Sequence, residues 1–89
     1  MVTEHERVLV ADPMAWAALR TAEQVVVGGG EAIVVTTAAA AMEAQGVFDR
    51  AVFAFDLPDG SGIVLAAEMM LDARVAQIGF SYPDADVPP

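Results

Sequence analysis

The chain has 89 residues, 56% of them hydrophobic, and a net charge of −9, which suits one small folded domain over residues 1–89 and excludes a disordered segment. Its 13 acidic residues outnumber four arginines, and lysine is absent, so the surface would repel nucleic-acid phosphates. The lack of cysteine excludes disulfides and thiolate metal sites. No apolar run approaches the ~20 residues that span a bilayer. We therefore expect a cytoplasmic protein without nucleic-acid or membrane partners.

The N-terminal third of the chain pairs an apolar run with a helical pattern. Val8–Ala11 is apolar at every position, which is typical of a strand buried on both faces. A helix is predicted over Met14–Val27, and the triple glycine that follows marks its end. Asp12 is its predicted cap, and Pro13 is suited to the first helical position. The apolar stripe expected to face the core consists of Ala15, Leu19, Ala22 and Val26.

The middle of the chain predicts a second strand, a short helix and a third strand. Ile33–Val35 is the second apolar run, and Thr37 is the predicted N-cap of a helix over Ala38–Gln45. The third strand is predicted over Val47–Phe55, where the apolar run is again long enough for one buried strand.

The third strand ends at a loop that opens the C-terminal part of the chain. Asp56 to Gly60 contains proline and glycine, which do not suit a central strand. Ser61 is the predicted N-cap of a helix within Ser61–Ala73. A fourth strand is predicted over Val75–Ser81, and the proline-rich segment 82–89 predicts a loose tail.

Strands that alternate with helices predict an α/β fold. Right-handed crossovers between parallel strands place the helices on both faces of the sheet. In the flavodoxin-like topology four such strands have the order 2-1-3-4. We therefore expect a flavodoxin-like three-layer sandwich of four parallel strands and three helices, with its core within residues 7–81.

The third strand and its loop carry a motif of one known family. Asp49, Leu57, Pro58 and Gly62 fall on matching positions of the third-strand motif of response-regulator receiver domains, which take up phosphoryl groups in bacterial two-component signalling. The resemblance extends over residues 7–81. Receiver domains have five strands and five helices, so the resemblance implies a truncated receiver fold that stops after its fourth strand.

The same resemblance implies that the phosphoryl chemistry has been lost. The phosphoacceptor position falls on Ala54, which has no nucleophile, and Pro13 stands where the family has a second metal-binding acid. The family's phosphate-binding lysine has no counterpart, because the chain contains no lysine. Mg²⁺ and a transferred phosphoryl group need several oxygen ligands and a counter-charge. What is left is a remnant acidic pocket of Asp12, Asp56 and Ser81, for which we expect no metal and no other cofactor.

Each pocket residue has an alternative interpretation. Asp56 would be an atypical phosphoacceptor if its loop were shorter than in the family, although the ungapped motif favours Ala54 at that position. Asp12 is a helix cap in one interpretation and a metal ligand in the other. Ser81 is a strand-end hydroxyl or a phosphate contact. A further alternative is a small-ligand binder at the carboxyl ends of the strands, where open α/β sheets place ligands.

A sheet that stops at its fourth strand has an unprotected edge. Val75–Ser81 carries no charged residue, although charge is one of the usual means of protecting a sheet edge from further pairing. Val75, Ile78 and Phe80 are therefore candidates for an interface.

The first helix would also be uncovered without the last helix of a receiver. Ala17, Ala18 and Val25 are expected to be exposed, and Trp16 is a contact candidate because it lies off the apolar stripe. These features predict a homodimer, formed through paired fourth strands, through helix packing or through a swapped element.

The resemblance implies a pseudo-receiver, a protein-interaction module that works without phosphorylation. Its partners would be a second copy of the chain and, by the family resemblance, a histidine kinase or a phosphotransfer protein. An enzyme is not expected, because one histidine and no cysteine cannot supply a hydrolytic triad.

Overall fold

The computed structural model describes residues 6–81, and the predicted loose tail over 82–89 lies outside these residues. Strands and helices alternate throughout the described chain, apart from one short hairpin. No helix in this part of the chain is long and apolar enough to cross a membrane. The elements in chain order are β1 (Arg7–Ala11), α1 (Ala15–Val27), β2 (Glu31–Val35), α2 (Ala38–Glu43), β3 (Phe48–Ala54), β4 (Asp56–Leu57), β5 (Gly60–Ser61), α3 (Gly62–Leu71) and β6 (Val75–Ser81).

The main sheet has four parallel strands in the order β2-β1-β3-β6. Leu9 of β1 is level with Ile33 of β2 on one side and with Ala51 of β3 on the other, and Phe53 of β3 is level with Phe80 of β6. The α/β class, the four parallel strands, their order and the three helices are thus confirmed, with β6 as the predicted fourth strand. The arrangement is compatible with a flavodoxin-like fold.

Strand β1, in the interior of the sheet, contributes side chains to two separate core clusters. Val8 and Val10 pack with α1 on one face of the sheet, whereas Leu9 and Ala11 join α2 and α3 on the other. All four side chains are buried, as expected when successive residues of a strand point to opposite faces. The sheet is therefore the middle of three layers.

Helix α1 lies on the sheet with a different stripe from the predicted one. Ala18 and Val25, seven residues apart, are buried against the sheet, while Leu19 and Val26 are 60% and 59% exposed. The predicted core stripe is therefore wrong, and so is the expectation that Ala18 and Val25 would be exposed; Ala17 is half-buried. The physical reason is that two apolar stripes lie side by side on α1, and the smaller Ala18 allows the closer approach to the sheet.

Helices α2 and α3 begin at their predicted caps. The Thr37 hydroxyl accepts a hydrogen bond from the Ala40 amide at 3.1 Å, and the Ser61 hydroxyl accepts from two amides in the first turn of α3, at 3.1 and 3.4 Å. Helix α2 ends at Glu43, two residues earlier than predicted, because Ala44 already has an extended backbone.

The segment between β3 and α3 is not the irregular loop that the sequence predicts. Strands β4 and β5 pair antiparallel, with Asp56 opposite Ser61 and Leu57 opposite Gly60. The Leu57 side chain is buried in the α2–α3 core cluster and anchors the hairpin there. Proline and glycine mark the reversal of the chain in the sequence, but two-residue strands are too short to leave a pattern of their own.

Candidate functional site

The carboxyl end of the sheet brings three of the predicted pocket positions together. Ala54 is the last residue of β3 and is level with Ser81, the last residue of β6. Asp12 directly follows β1, whose last residue Ala11 is level with Phe53. The predicted phosphoacceptor position and two of the three remnant polar residues therefore meet at one edge of the sheet, where open α/β folds place their sites.

Asp12 is buried, and both of its carboxylate oxygens have a donor. Oδ1 accepts from the Met14 amide at 2.9 Å, and Oδ2 accepts from the Ser81 hydroxyl at 3.3 Å. The helix-cap interpretation of Asp12 is wrong, because the N-cap position of α1 is Met14 and no side chain caps this helix. Pro13 is not the first helical residue, because the bond to Met14 forms a turn and α1 begins only at Ala15.

Ala54 presents a half-buried methyl group, and the start of α3 lies against its backbone. The side chain packs on the α2–α3 core cluster. A Cβ atom on Gly62 would come to 1.9 Å from the Ala54 carbonyl oxygen, and the Gly62 amide donates to the Phe55 carbonyl at 2.7 Å. Only glycine fits here, so the hairpin and α3 are closed tightly over the end of β3.

No hydrogen bond connects Asp56 to Asp12 or Ser81. Asp56 lies on β4 with an exposed side chain, opposite Ser61, and hydrogen bonds connect Asp12 to Met14 and Ser81 rather than to this strand. Among residues 6–81 no group of three acidic or histidine side chains is placed to hold a metal ion. The edge of the sheet thus offers one buried carboxylate, one hydroxyl and a methyl group.

Asp59, at the tip of the hairpin, caps α2 across a gap of about twenty residues in sequence. Its two carboxylate oxygens accept from the amides of Ala38 at 2.7 Å and Ala39 at 3.0 Å. These two donors, that of Ala38 above all, hold the pKa of the Asp59 carboxyl below its ordinary value, because they stabilise the charged form. The sequence analysis missed this residue, since a cap supplied from elsewhere in the chain has no local pattern.

Arg74 holds the other end of α2. Its Nη1 donates to the Met42 carbonyl at 2.8 Å, and its Nη2 donates to the Ala44 carbonyl. The last carbonyls of a helix have no partner within the helix, so the guanidinium satisfies groups that would otherwise need water. Asp59 and Arg74 together fix α2 at both ends.

A groove of about 280 Å³ lies between α2 and α3. Apolar side chains form most of its lining, among them Ala39, Met42, Val64 and Leu65, and Glu68 is an acidic lining residue from α3. The groove shares Val64 with the outward side of α3. That side is apolar along the helix: Ile63, Val64, Met70 and Leu71 are each more than half exposed.

The predicted interface residues differ in how far they reach the surface. Val75 is 5% exposed and belongs to the core, so it offers its backbone rather than its side chain. Ile78 and Phe80 are half-buried and pack on the same cluster, with the Phe80 ring stacked on Phe55 at 4.9 Å between centroids. Trp16 is about half exposed.

The apolar side of α3 was not among the predicted interface residues, although the sequence carries its signal. The segment 62–71 has one charged residue, Glu68, and is otherwise apolar or glycine. Such a helix is apolar on every side, which in a globular protein is typical of burial on every side. In this structure, however, Ile63, Val64, Met70 and Leu71 are more than half exposed within residues 6–81.

Comparison of this chain with protein families, with curated proteins and with solved structures found no match. The resemblance to receiver domains therefore rests on the motif residues of β3 and its hairpin.

Proposed function

We propose that the chain is a phosphorylation-independent pseudo-receiver, an interaction and dimerisation module of bacterial two-component signalling in the cytoplasm. In this proposal the four-stranded sheet is a truncated flavodoxin-like receiver fold. The observation that carries it is the position of Ala54, which ends β3 beside Asp12 and Ser81. A methyl group at that position cannot take up a phosphoryl group.

The neighbours of Ala54 support the loss of the chemistry. Phosphoryl transfer depends on a metal ion and positive groups that neutralise the developing charge. Asp12 is a single carboxylate whose oxygens already accept from Met14 and Ser81, and Mg²⁺ needs hard oxygen ligands in a near-octahedral set. Asp56 is exposed on β4 opposite Ser61, and the hydrogen bonds of Asp12 go to Met14 and Ser81 instead.

The surface supports a role in protein contacts. Apolar side chains of α1 and α3 are exposed in the described chain, with Leu71 at 85%, and β6 pairs along one side only, with β3. Contiguous apolar surface on a small protein marks an interaction site. The partners we propose are a second copy of the chain and a histidine kinase or phosphotransfer protein that recognises receiver-like surface.

Intact-mass measurement after incubation with acetyl phosphate and Mg²⁺ tests the proposal, with a functional receiver domain treated in parallel. We expect the receiver to gain one phosphoryl group and this chain to gain none. Beryllofluoride, which mimics the phosphoryl group, should leave its thermal unfolding unchanged. A phosphoryl adduct that disappears in the Asp56→Asn variant would refute the proposal and establish Asp56 as an acceptor.

A further inference from the structure

The outward side of α3 is apolar along its whole length. Ile63, Val64, Met70 and Leu71 are each more than half exposed, and Leu71 is 85% exposed. Ala67, between them in sequence, is exposed as well. The inward side of the same helix is buried in the core through Leu65 and Met69. A helix that is apolar on all sides is typically covered on all sides.

We infer that the outward side of α3 is the contact between two copies of this chain, which cross antiparallel at Ala67. The inference rests on the proposed role as an interaction module and names the surface that it uses. The residues meant by this α3 face are Ile63, Val64, Ala67, Met70 and Leu71.

The order of residues on the α3 face points to a second copy as the occupant. Ile63 and Val64 lie one turn before Ala67, and Met70 and Leu71 lie one turn after it. A two-fold axis at Ala67 therefore sets the first turn of one copy against the last turn of the other, which makes the face self-complementary as a two-fold interface requires. The small Ala67 at the crossing point lets the helix axes approach closely.

Charge favours the same occupant over a basic partner. The α3 face has no charged member, and Glu68 lies at its flank beside the groove. The Asp59 carboxylate, also at the groove, is already bound by two α2 amides. A charged partner would have no charged side chain to pair with on the α3 face itself, whereas the apolar α3 face of a second copy would pack against it.

The exposed side chains limit the affinity. Four apolar side chains and one alanine from each copy would bury roughly 800 Å² in total, which is below the area of a stable specific interface and suits a weak, transient dimer. We therefore expect a dimer with a Kd on the order of 10–100 µM.

Sedimentation equilibrium between about 1 µM and 1 mM protein measures this Kd, and three matched Ala→Glu variants locate the contact. Ala67 lies on the α3 face, Ala76 on the β6 edge and Ala15 on the outer side of α1, and all three are exposed. We expect Ala67→Glu to raise the Kd on the order of 100-fold, to about 1–10 mM and so to or beyond the top of this concentration range, because it places two unpaired charges in the interface. The other two variants should change it less than about threefold.

A cysteine variant gives a positive test that does not depend on loss of binding. The chain has no cysteine of its own, so oxidation of Ala67→Cys should link two chains across the axis, and Ala76→Cys should stay unlinked under the same conditions. A dimer lost in Ala76→Glu but kept in Ala67→Glu would overturn the inference in favour of the β6 edge. A monomer at every concentration would also overturn it. Neither result bears on the phosphoryl-transfer assay, which tests the proposed function separately.

Discussion

Gly62 is the residue at which a single methyl group should do most damage. It is the first residue of α3 and is buried against the end of β3. In the Gly62→Ala variant the new Cβ would lie 1.9 Å from the Ala54 carbonyl oxygen and 3.0 Å from the Ala54 carbonyl carbon. Both contacts are with backbone, so no side chain can rotate away, and the start of α3 has to move.

The size of the effect follows from what that movement disrupts. Overpacking of a closed site costs about 1–3 kcal/mol. The bond from the Gly62 amide to the Phe55 carbonyl, 2.7 Å long, would lengthen or break, which costs about 1 kcal/mol more. The expected loss of about 2–4 kcal/mol is a large part of the roughly 5–13 kcal/mol available to a chain of this length.

Urea unfolding followed by circular dichroism measures the loss. With a slope on the order of 1 kcal/mol/M, the midpoint of Gly62→Ala should fall by about 2–4 M. Gly60→Ala is the matched control two residues away, because a Cβ there meets nothing within 4 Å, and its effect should stay within about 0.5 kcal/mol. Equal midpoints for the two variants would refute the account of how α3 is seated on β3.

Three further substitutions probe the α2–α3 layer. Asp59→Asn should destabilise the fold most at neutral pH; since the folded-state pKa of Asp59 is lowered, its contribution is present above the unfolded pKa and is lost as the pH falls through the folded one. Arg74→Met should cost about 1–2 kcal/mol in urea unfolding, because the carbonyls of Met42 and Ala44 lose their donor. Glu68→Gln should tighten the dimer about twofold at low ionic strength, because an antiparallel crossing brings the two Glu68 side chains to the same flank, roughly 10 Å apart.

For each of these three substitutions one experimental result would contradict the expected effect. A destabilisation by Asp59→Asn that is the same at pH 7 as in acid would mean that the charge of Asp59 is not what α2 uses. Arg20→Met is the control for Arg74, because Arg20 is exposed and lies over the Trp16 ring, with no hydrogen bond to the rest of residues 6–81; equal effects would remove the capping role. A dimer affinity that is independent of both Glu68 and salt would contradict the antiparallel crossing.

The sequence predicts the sheet well because the signals of its strands are local. The interior strands β1 and β3 contain short apolar runs, as burial on both faces of a parallel sheet demands, whereas the edge strands β2 and β6 are mostly half-buried or exposed. The caps Thr37 and Ser61 are equally local, since each bonds amides within three residues. The predicted strand order comes from the flavodoxin-like topology, and the handedness of the crossovers places the helices on both faces.

The features that the sequence does not predict depend on residues far apart in the chain. Asp12 accepts a hydrogen bond from Ser81, and Asp59 accepts hydrogen bonds from the amides of Ala38 and Ala39. No spacing pattern in the sequence predicts these contacts. The sequence does not predict which stripe of α1 faces the core, and the reason is different. Leu19 and Ala18 belong to adjacent apolar stripes, and hydrophobicity alone does not determine which of the two stripes packs against the sheet.

The contacts at the two ends of α2 bear on how the α3 face could serve as an interface. Binding through a mobile surface loses affinity to the ordering of that surface, whereas a rigid one avoids the loss. Helix α3 is fixed at its start by Ser61 and Gly62, and neighbouring α2 is fixed by Asp59 and Arg74. The α3 face is therefore held in place before any partner arrives. Loosening α2 through Asp59→Asn should thus weaken the dimer without removing a single contact from it, an effect that an interface at the β6 edge would not show.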